Sequence, residues 1–185
     1  MQLRPSQAAA SPGPAHNASA PEALTPALLS LNIASSDAYK GYRMSLISAA
    51  EIGAVLALIP PPQSFADLDE QVAKGLPKGA LRASIEHVLT TPAERTQLLH
   101  AIIPPATYKR RKERLSAEES GRAERLARIF ATAAHVWNSE DDARAFLNTP
   151  HARLEGQTPL AVSLSEIGCR RVEALLWQIF YGLPV

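Results

Sequence analysis

Cysteine, aromatic residues, glycine and net charge are all scarce in this chain, and each shortage excludes something. One cysteine in 185 residues, Cys169, rules out an intrachain disulfide and a cysteine-based metal cluster. Such a chain suits a reducing compartment, and a cytoplasmic location is expected. A formal net charge of +1 excludes a uniformly basic polyelectrolyte, although that average can hide a basic patch. Aromatics make up 5% of the residues and 15 prolines outnumber 9 glycines, so part of the length is expected to lie outside a packed core. The most apolar run, Leu46 to Ile59, is interrupted by Ser48 and Glu51 and is too short to span a bilayer, so no membrane partner is expected. No apolar stretch follows Met1-Gln2-Leu3-Arg4-Pro5, as a signal peptide would require.

Catalytic patterns are equally scarce. The five histidines, His16, His87, His100, His135 and His151, are scattered without metal-ligand spacing. Gly75-Leu76-Pro77-Lys78-Gly79 is too short for a phosphate-binding loop. Cys169 lies beside Arg170 and Arg171, which can lower a thiol pKa, but no histidine base is near it in sequence. A small buried hydrophobe is the better reading of Cys169. No enzyme activity, cofactor or metal site is expected.

What is present divides into three parts. Residues 1–40 open with alanine, proline and serine, carry a single basic residue as far as Pro26, and are expected to form a disordered tail. Residues 41–115 begin with the apolar run, read as a buried helix over 44–59 that Pro60-Pro61-Pro62 stops. Residues 66–115 carry nine Lys/Arg against six Asp/Glu, whereas residues 116–185 carry seven against nine, which places a boundary near Leu115-Ser116. Helix starts are well marked. Thr91-Pro92-Ala93-Glu94, Ser116-Ala117-Glu118-Glu119 and Ser139-Glu140-Asp141-Asp142 have capping patterns, and Thr158-Pro159 and Ser165-Glu166 can cap two more. No stretch reads as an alternating hairpin, so the chain is expected to be all-α.

Two segments carry the functional signal. In the first, Leu81, Ile85, Val88 and Leu89 form one helical face and Leu98, Leu99, Ile102 and Ile103 another. A tight joint at Ile103-Pro104 leads to a basic stretch, Thr107, Tyr108, Lys109, Arg110, Arg111, Lys112 and, after Glu113, Arg114. This is the outline of a helix-turn-helix whose second helix meets phosphates with its cations and brings Thr107 and Tyr108 toward base edges or sugar. The competing reading is a solvated charged helix, and the turn lacks the usual glycine. In the second segment, Val172, Leu175, Leu176, Ile179, Phe180 and Leu183 form a core stripe, while Trp177 and Tyr181 form an aromatic row on another face. That row either meets a partner or dimer mate or covers a neighbouring helix. The sequence ends in Tyr181-Gly182-Leu183-Pro184-Val185, an uncharged, extended end suited to entering a pocket or to docking on its own core.

Three elements in this region occur together: Asp142-Ala143-Arg144-Ala145-Phe146-Leu147-Asn148-Thr149-Pro150, then Leu154-Glu155-Gly156-Gln157-Thr158-Pro159-Leu160, then Gly168-Cys169-Arg170-Arg171-Val172-Glu173-Ala174-Leu175-Leu176 closing with Tyr181-Gly182. In order and spacing they resemble the toxin-binding domain of the Xre/ParS/MbcA antitoxins, and the resemblance extends over residues 116–185. The middle segment resembles the Xre-like helix-turn-helix domain of the same family, through Ile103-Pro104 and Thr107 to Lys112. The resemblance implies an antitoxin of a type II toxin–antitoxin system, partnered by a cognate RES-domain toxin that degrades NAD or transfers its ADP-ribosyl group. It implies that the toxin's NAD site is blocked by the C-terminal end, Tyr181, Gly182, Leu183, Pro184 and Val185, with Arg170, Arg171 and Trp177 in the toxin-binding surface. It further implies a homodimer or higher oligomer that binds promoter DNA and represses its own operon. On the residues alone, Gly156 to Pro159 and Asn148 to Pro150 read as structural. Arg170 and Arg171 sit unfavourably near a helix start, so at least one is expected to pair with Glu166, Glu173 or a partner's acid, the competing reading being simple exposure. The alternative function is a stand-alone helix-turn-helix transcriptional regulator, which needs no toxin.

Overall fold

Short capping side chains start most of the helices. In a computed structural model of the chain, residues 46–184 are described, and among them there are helices and turns but no β-strand. The expected all-α class holds. Residues 1–40, expected to be a disordered tail, lie outside the described residues, as does Val185.

Helix α1 (Ala49–Val55) starts in a reciprocal cap: the Ser48 backbone N–H donates to the Glu51 carboxylate at 2.6 Å, and the Glu51 N–H donates back to the Ser48 hydroxyl at 3.3 Å. The helix expected over 44–59 is therefore much shorter. It ends because Ala57 adopts a left-handed conformation, φ 51°, and the Leu58 N–H turns back to the Gly53 carbonyl at 2.9 Å. The turn points Ile59 into solvent at 94% exposure, so this residue falls outside the buried helix expected over 44–59. Gly53 is required here: a Cβ on it would lie 2.3 Å from Cδ of Pro62, which packs over the helix.

Helix α2 (Phe65–Lys74) is capped by Ser64, and α4 (Pro92–Ile102) by Thr91 with proline in its first turn. Between them, α3 (Lys78–Val88) buries Leu81, Ile85 and Val88, and Leu89 just beyond its end, as expected. Helix α5 (Pro105–Arg110) follows α4 across Ile103 and Pro104. Both joint residues are extended, with φ −134° and −54°, so the turn needs no glycine.

The long helix α6 (Ala117–Trp137) has the reciprocal cap foreseen for Ser116 and Glu119. Its Ala123, Leu126, Ala127, Ile129, Phe130 and Ala133 are buried and form the spine of the molecule. Burial of each large side chain contributes roughly 1.5–3 kcal/mol. Helix α7 (Glu140–Asn148), a 3-10 turn at Ala152–Leu154, α8 (Pro159–Ser163) and α9 (Glu166–Phe180) complete the fold, with Ser139, Thr158 and Ser165 as caps. Helix α6 packs on α1, α2 and α3 and also on α7, α8 and α9. The position Leu115-Ser116 thus falls at the start of a helix shared by elements from both sides, and the apolar core is continuous across it.

Candidate functional site

The basic segment is held from the inside. Tyr108 is only 8% exposed; its hydroxyl accepts from Arg82 Nε at 3.1 Å and donates to the Lys78 carbonyl at 3.4 Å. Lys78 Nζ sits 4.4 Å above its ring centre. Tyr108 therefore anchors α5 to α3 and does not face outward toward bases, contrary to the sequence-based expectation. The expected helix over 107–114 also stops at Arg110. Beyond it, the Glu113 carbonyl accepts from the Lys78 N–H and the Leu115 N–H donates to the Leu76 carbonyl, drawing the chain into an extended path beside the α2–α3 turn.

Two of the nominated cations are used within the fold. Arg111 grips Glu119 with both Nε (2.9 Å to one carboxylate oxygen) and Nη2 (3.0 Å to the other). Burial pushes the Glu119 carboxyl up, but the bonds from Arg111 and the Ser116 cap outweigh it, so its pKa is lowered. Arg114 donates to the Gly75 carbonyl at 2.6 Å. Lys109, Arg110 and Lys112 remain exposed with no ion pair among the described residues, and Thr107 is half-buried beside them.

The second candidate surface is the end of α9. This helix runs parallel to α6: Arg125 meets Glu166, Arg128 meets Glu173, and His135 faces Phe180 with ring centres 5.5 Å apart. Val172, Leu175 and Leu176 are buried and Ile179 packs against the core. The expected stripe then fails at Phe180 and Leu183, which are 44% and 53% exposed: Phe180 rests against the His135 ring near the end of α6, and that helix stops at Trp137. Trp177 and Tyr181 stack with ring centres 5.2 Å apart, and Phe180 meets Tyr181 edge-on at 5.1 Å. The result is an exposed apolar cap in which Tyr181, 52% exposed, is central.

Backbone geometry fixes that end. Gly182 has φ 63°, its N–H donates to the Ile179 carbonyl at 3.1 Å, and the Leu183 N–H donates to the Gln178 carbonyl at 2.9 Å. This Schellman closure satisfies the last carbonyls of α9 and turns the chain off the helix axis. The adjacent arginines diverge. Arg170 pairs with Glu166 one turn earlier at 3.2 Å and is largely exposed. Arg171 places one nitrogen 2.6 and 2.8 Å from the two Glu155 oxygens, so its partner is neither Glu166 nor Glu173. Arg153, which sequence reasoning missed, donates to the Pro184 carbonyl at 2.9 Å.

Cys169 is fully buried on α9. Burial pushes its thiol up to about 12, more than the nearby Arg128 guanidinium can offset, so it is a packing residue and not an activated nucleophile. The unfolded chain releases this proton from about pH 9.0 and the folded chain holds it to about 12, so stability falls as pH rises through that interval. Denaturant midpoints measured from neutral to strongly alkaline pH are expected to show this loss, and Cys169→Ala to flatten it. An unchanged alkaline slope would assign the loss to other groups.

Two family models match the chain: the antitoxin Xre-like helix-turn-helix domain over residues 67–128, and the antitoxin Xre/MbcA/ParS C-terminal toxin-binding domain over residues 132–182. The curated protein "Antitoxin Xre" of Pseudomonas putida is 34% identical over 127 residues, covering 67% of this chain and 77% of that protein. The chain belongs to the Xre family of antitoxins.

In this antitoxin the helix-turn-helix match takes in α2 to α5 and the first half of α6, while the toxin-binding match takes in the end of α6 and everything to Gly182. The two regions are bonded to each other: Arg144 Nε donates to the His87 carbonyl at 2.7 Å and Asn148 Nδ2 to the Val88 carbonyl at 3.1 Å, so α7 closes the C-terminal end of α3. Asn148 therefore serves as structure, in line with the reading of its motif. The antitoxin also has a groove of about 470 Å³ between the end of α4 and the α8–α9 corner. Its arginines are paired internally, Arg122 with Glu118 and Arg125 with Glu166, while the buried Arg125 Nε has no hydrogen-bond partner among the described residues. Among the described residues no helix is long and apolar enough to cross a membrane.

Proposed function

We propose that this antitoxin is a non-enzymatic inhibitor of a RES-domain toxin, and that it places the end of α9 and residues 181–185 in the toxin's NAD-binding cleft. The observation that carries the proposal is the exposed apolar cap of Phe180, Tyr181 and Leu183 on a helix whose other face is fully built into the core. Exposed aromatic side chains on a rigid support are the residues that most often dominate an interface. The uncharged segment that follows Tyr181 can enter such a cleft without burying a charge. The test is NAD consumption by the purified RES-domain toxin, titrated with the full antitoxin; activity is expected to vanish at a fixed stoichiometry. Undiminished consumption at saturating antitoxin would exclude this partner.

The same proposal gives the helix-turn-helix a role in repressing the antitoxin's own operon as a dimer, with the Trp177–Tyr181 row offering either a toxin contact or a dimer contact. DNA contact is assigned to Thr107, Lys109, Arg110 and Lys112, the members of the basic segment that the fold leaves free. Each neutralised phosphate contributes about −0.9 to the slope of log affinity against log salt. Changing Arg110 and Lys112 to alanine should therefore weaken promoter binding and make the slope shallower by about two units. Arg111→Ala should act differently, lowering thermal stability by leaving the buried Glu119 without its guanidinium partner. An unchanged salt slope in the Arg110/Lys112 double variant would remove this surface from DNA contact. The stand-alone regulator remains the second reading, favoured by the free cations alone, and an adjacent gene encoding a RES domain separates the two.

A further inference from the structure

We infer that Arg153 is a positioning residue for the C-terminal tip: it holds the tail in its binding direction before any partner arrives. The inference rests on the reading of the tip as the inhibitory element and adds the device that presents it. The tail is not held by burial. Tyr181 and Leu183 are both about half exposed, and Gly182 has open space around it. Beyond the Schellman turn, the backbone is fixed by the Arg153 guanidinium, which donates to the Pro184 carbonyl at 2.9 Å, 31 residues away in sequence.

Arg153 can do this because the loop that carries it is itself rigid. The His151 N–H donates to the Gln157 carbonyl at 3.0 Å, closing the loop at its base. The His151 carbonyl takes the N–H groups of Leu154 and Gly156, and His151 Nδ1 accepts from the Arg153 N–H at 3.2 Å. Two successive left-handed residues, Glu155 at φ 53° and Gly156 at φ 74°, complete the turn. Arg171 then ties this loop to α9, with one nitrogen on both Glu155 oxygens and within 3.4 Å of the Arg153 carbonyl. The chain of contacts runs from α9 through Arg171 and the loop to Arg153, and from Arg153 back to the tail that leaves α9. It grips the tail by its backbone and leaves the side chains of Tyr181 and Leu183 about half exposed. A segment ordered in advance does not lose that freedom on binding, and affinity rises accordingly.

The experiment compares the full chain, Arg153→Ala, Arg153→Lys and a chain lacking residues 182–185. Inhibition of NAD consumption by the RES-domain toxin is read beside the NMR order parameter of the Leu183 amide in the free antitoxin. Arg153 is exposed, so its truncation should leave the thermal midpoint in place. Arg153→Ala is expected to lower the Leu183 order parameter and to raise the half-inhibitory concentration about tenfold, the range of one charge-assisted hydrogen bond. Arg153→Lys, which keeps a cationic donor, should recover part of both. If the deletion abolishes inhibition while Arg153→Ala inhibits like the full chain, the tip reading stands and the positioning role is overturned. If Leu183 is equally ordered in Arg153→Ala, the positioning role is overturned whatever the inhibition. If the deletion itself inhibits fully, the tip reading fails and the positioning role fails with it.

Discussion

On the proposed reading, removing residues 182–185 is expected to restore NAD consumption by the RES-domain toxin while much of the complex survives. The deletion takes nothing from the core, since α9 is anchored by Val172, Leu175 and Leu176, all buried upstream of the cut. It does take the Gly182 and Leu183 N–H groups that close the helix, so the last turn frays and Tyr181 loses its fixed position. Loss of an aromatic anchor at an interface commonly costs more than about 2 kcal/mol, roughly thirtyfold in affinity. Affinity and occlusion are separable: on the proposed reading, Arg170, Arg171 and Trp177 of α9 can keep the partners together after the cleft has been reopened. Pull-down and NAD turnover measured on the same samples check this. Full inhibition by the shortened chain at the same stoichiometry would assign blocking to another surface.

The parts of the fold that were legible in the sequence are those decided within a few residues. Thr91, Ser116, Ser139, Thr158 and Ser165 all cap the helices they precede, because a capping hydroxyl needs only the N–H two or three residues ahead of it. The apolar faces of α3 and α4 and the stretch of α9 from Val172 to Ile179 follow from helical period alone. Period says nothing about where the opposing surface stops. It assigned Phe180 and Leu183 to the core, but Phe180 meets α6 only two residues before that helix stops at Trp137, and the same periodicity that packs Leu176 leaves Leu183 in solvent.

The basic segment was not resolved by sequence for the same reason. Seven residues between Thr107 and Arg114 read as one contact surface because they are adjacent in sequence. Their partners are not adjacent: Tyr108 is claimed by Arg82 and Lys78, Arg111 by Glu119, and Arg114 by the Gly75 carbonyl 39 residues earlier. Only the tertiary fold distinguishes a cation committed to a carbonyl from one open to phosphate. The clamp on the tail was hidden for the same reason, since nothing local to Arg153 marks Pro184 as its acceptor. A signal was available for Arg171, whose placement near the start of α9 disfavours it electrostatically unless an acid compensates, and Glu155 supplies that acid.

The largest effect on stability is expected from Gly168→Ala. Gly168 lies in the first turn of α9, where its N–H donates to the Ser165 cap at 3.0 Å. A Cβ built there would stand 1.9 Å from the Val162 carbonyl oxygen and 2.8 Å from the Ser165 hydroxyl. The first of these is backbone at the end of α8, so a single methyl group must separate two helices that meet at the core, and no rotamer change relieves it. Overpacking of this kind costs typically 1–3 kcal/mol, and contact with fixed backbone places this site at about 3 kcal/mol or more, a large part of the roughly 5–15 kcal/mol available to a domain. Gly182→Ala provides the contrast. Its φ of 63° strains an L-residue, but the space around it is open, so the cost is limited to the left-handed penalty of about 1–2 kcal/mol and falls outside the core. Urea unfolding of the two variants should therefore rank Gly168→Ala well below Gly182→Ala in midpoint. Toxin inhibition should weaken in both, through loss of fold in the first and through altered tip direction in the second. Equal midpoints would mean that α8 can retreat from α9 without cost, and the close approach at Gly168 would then not hold the toxin-binding domain together.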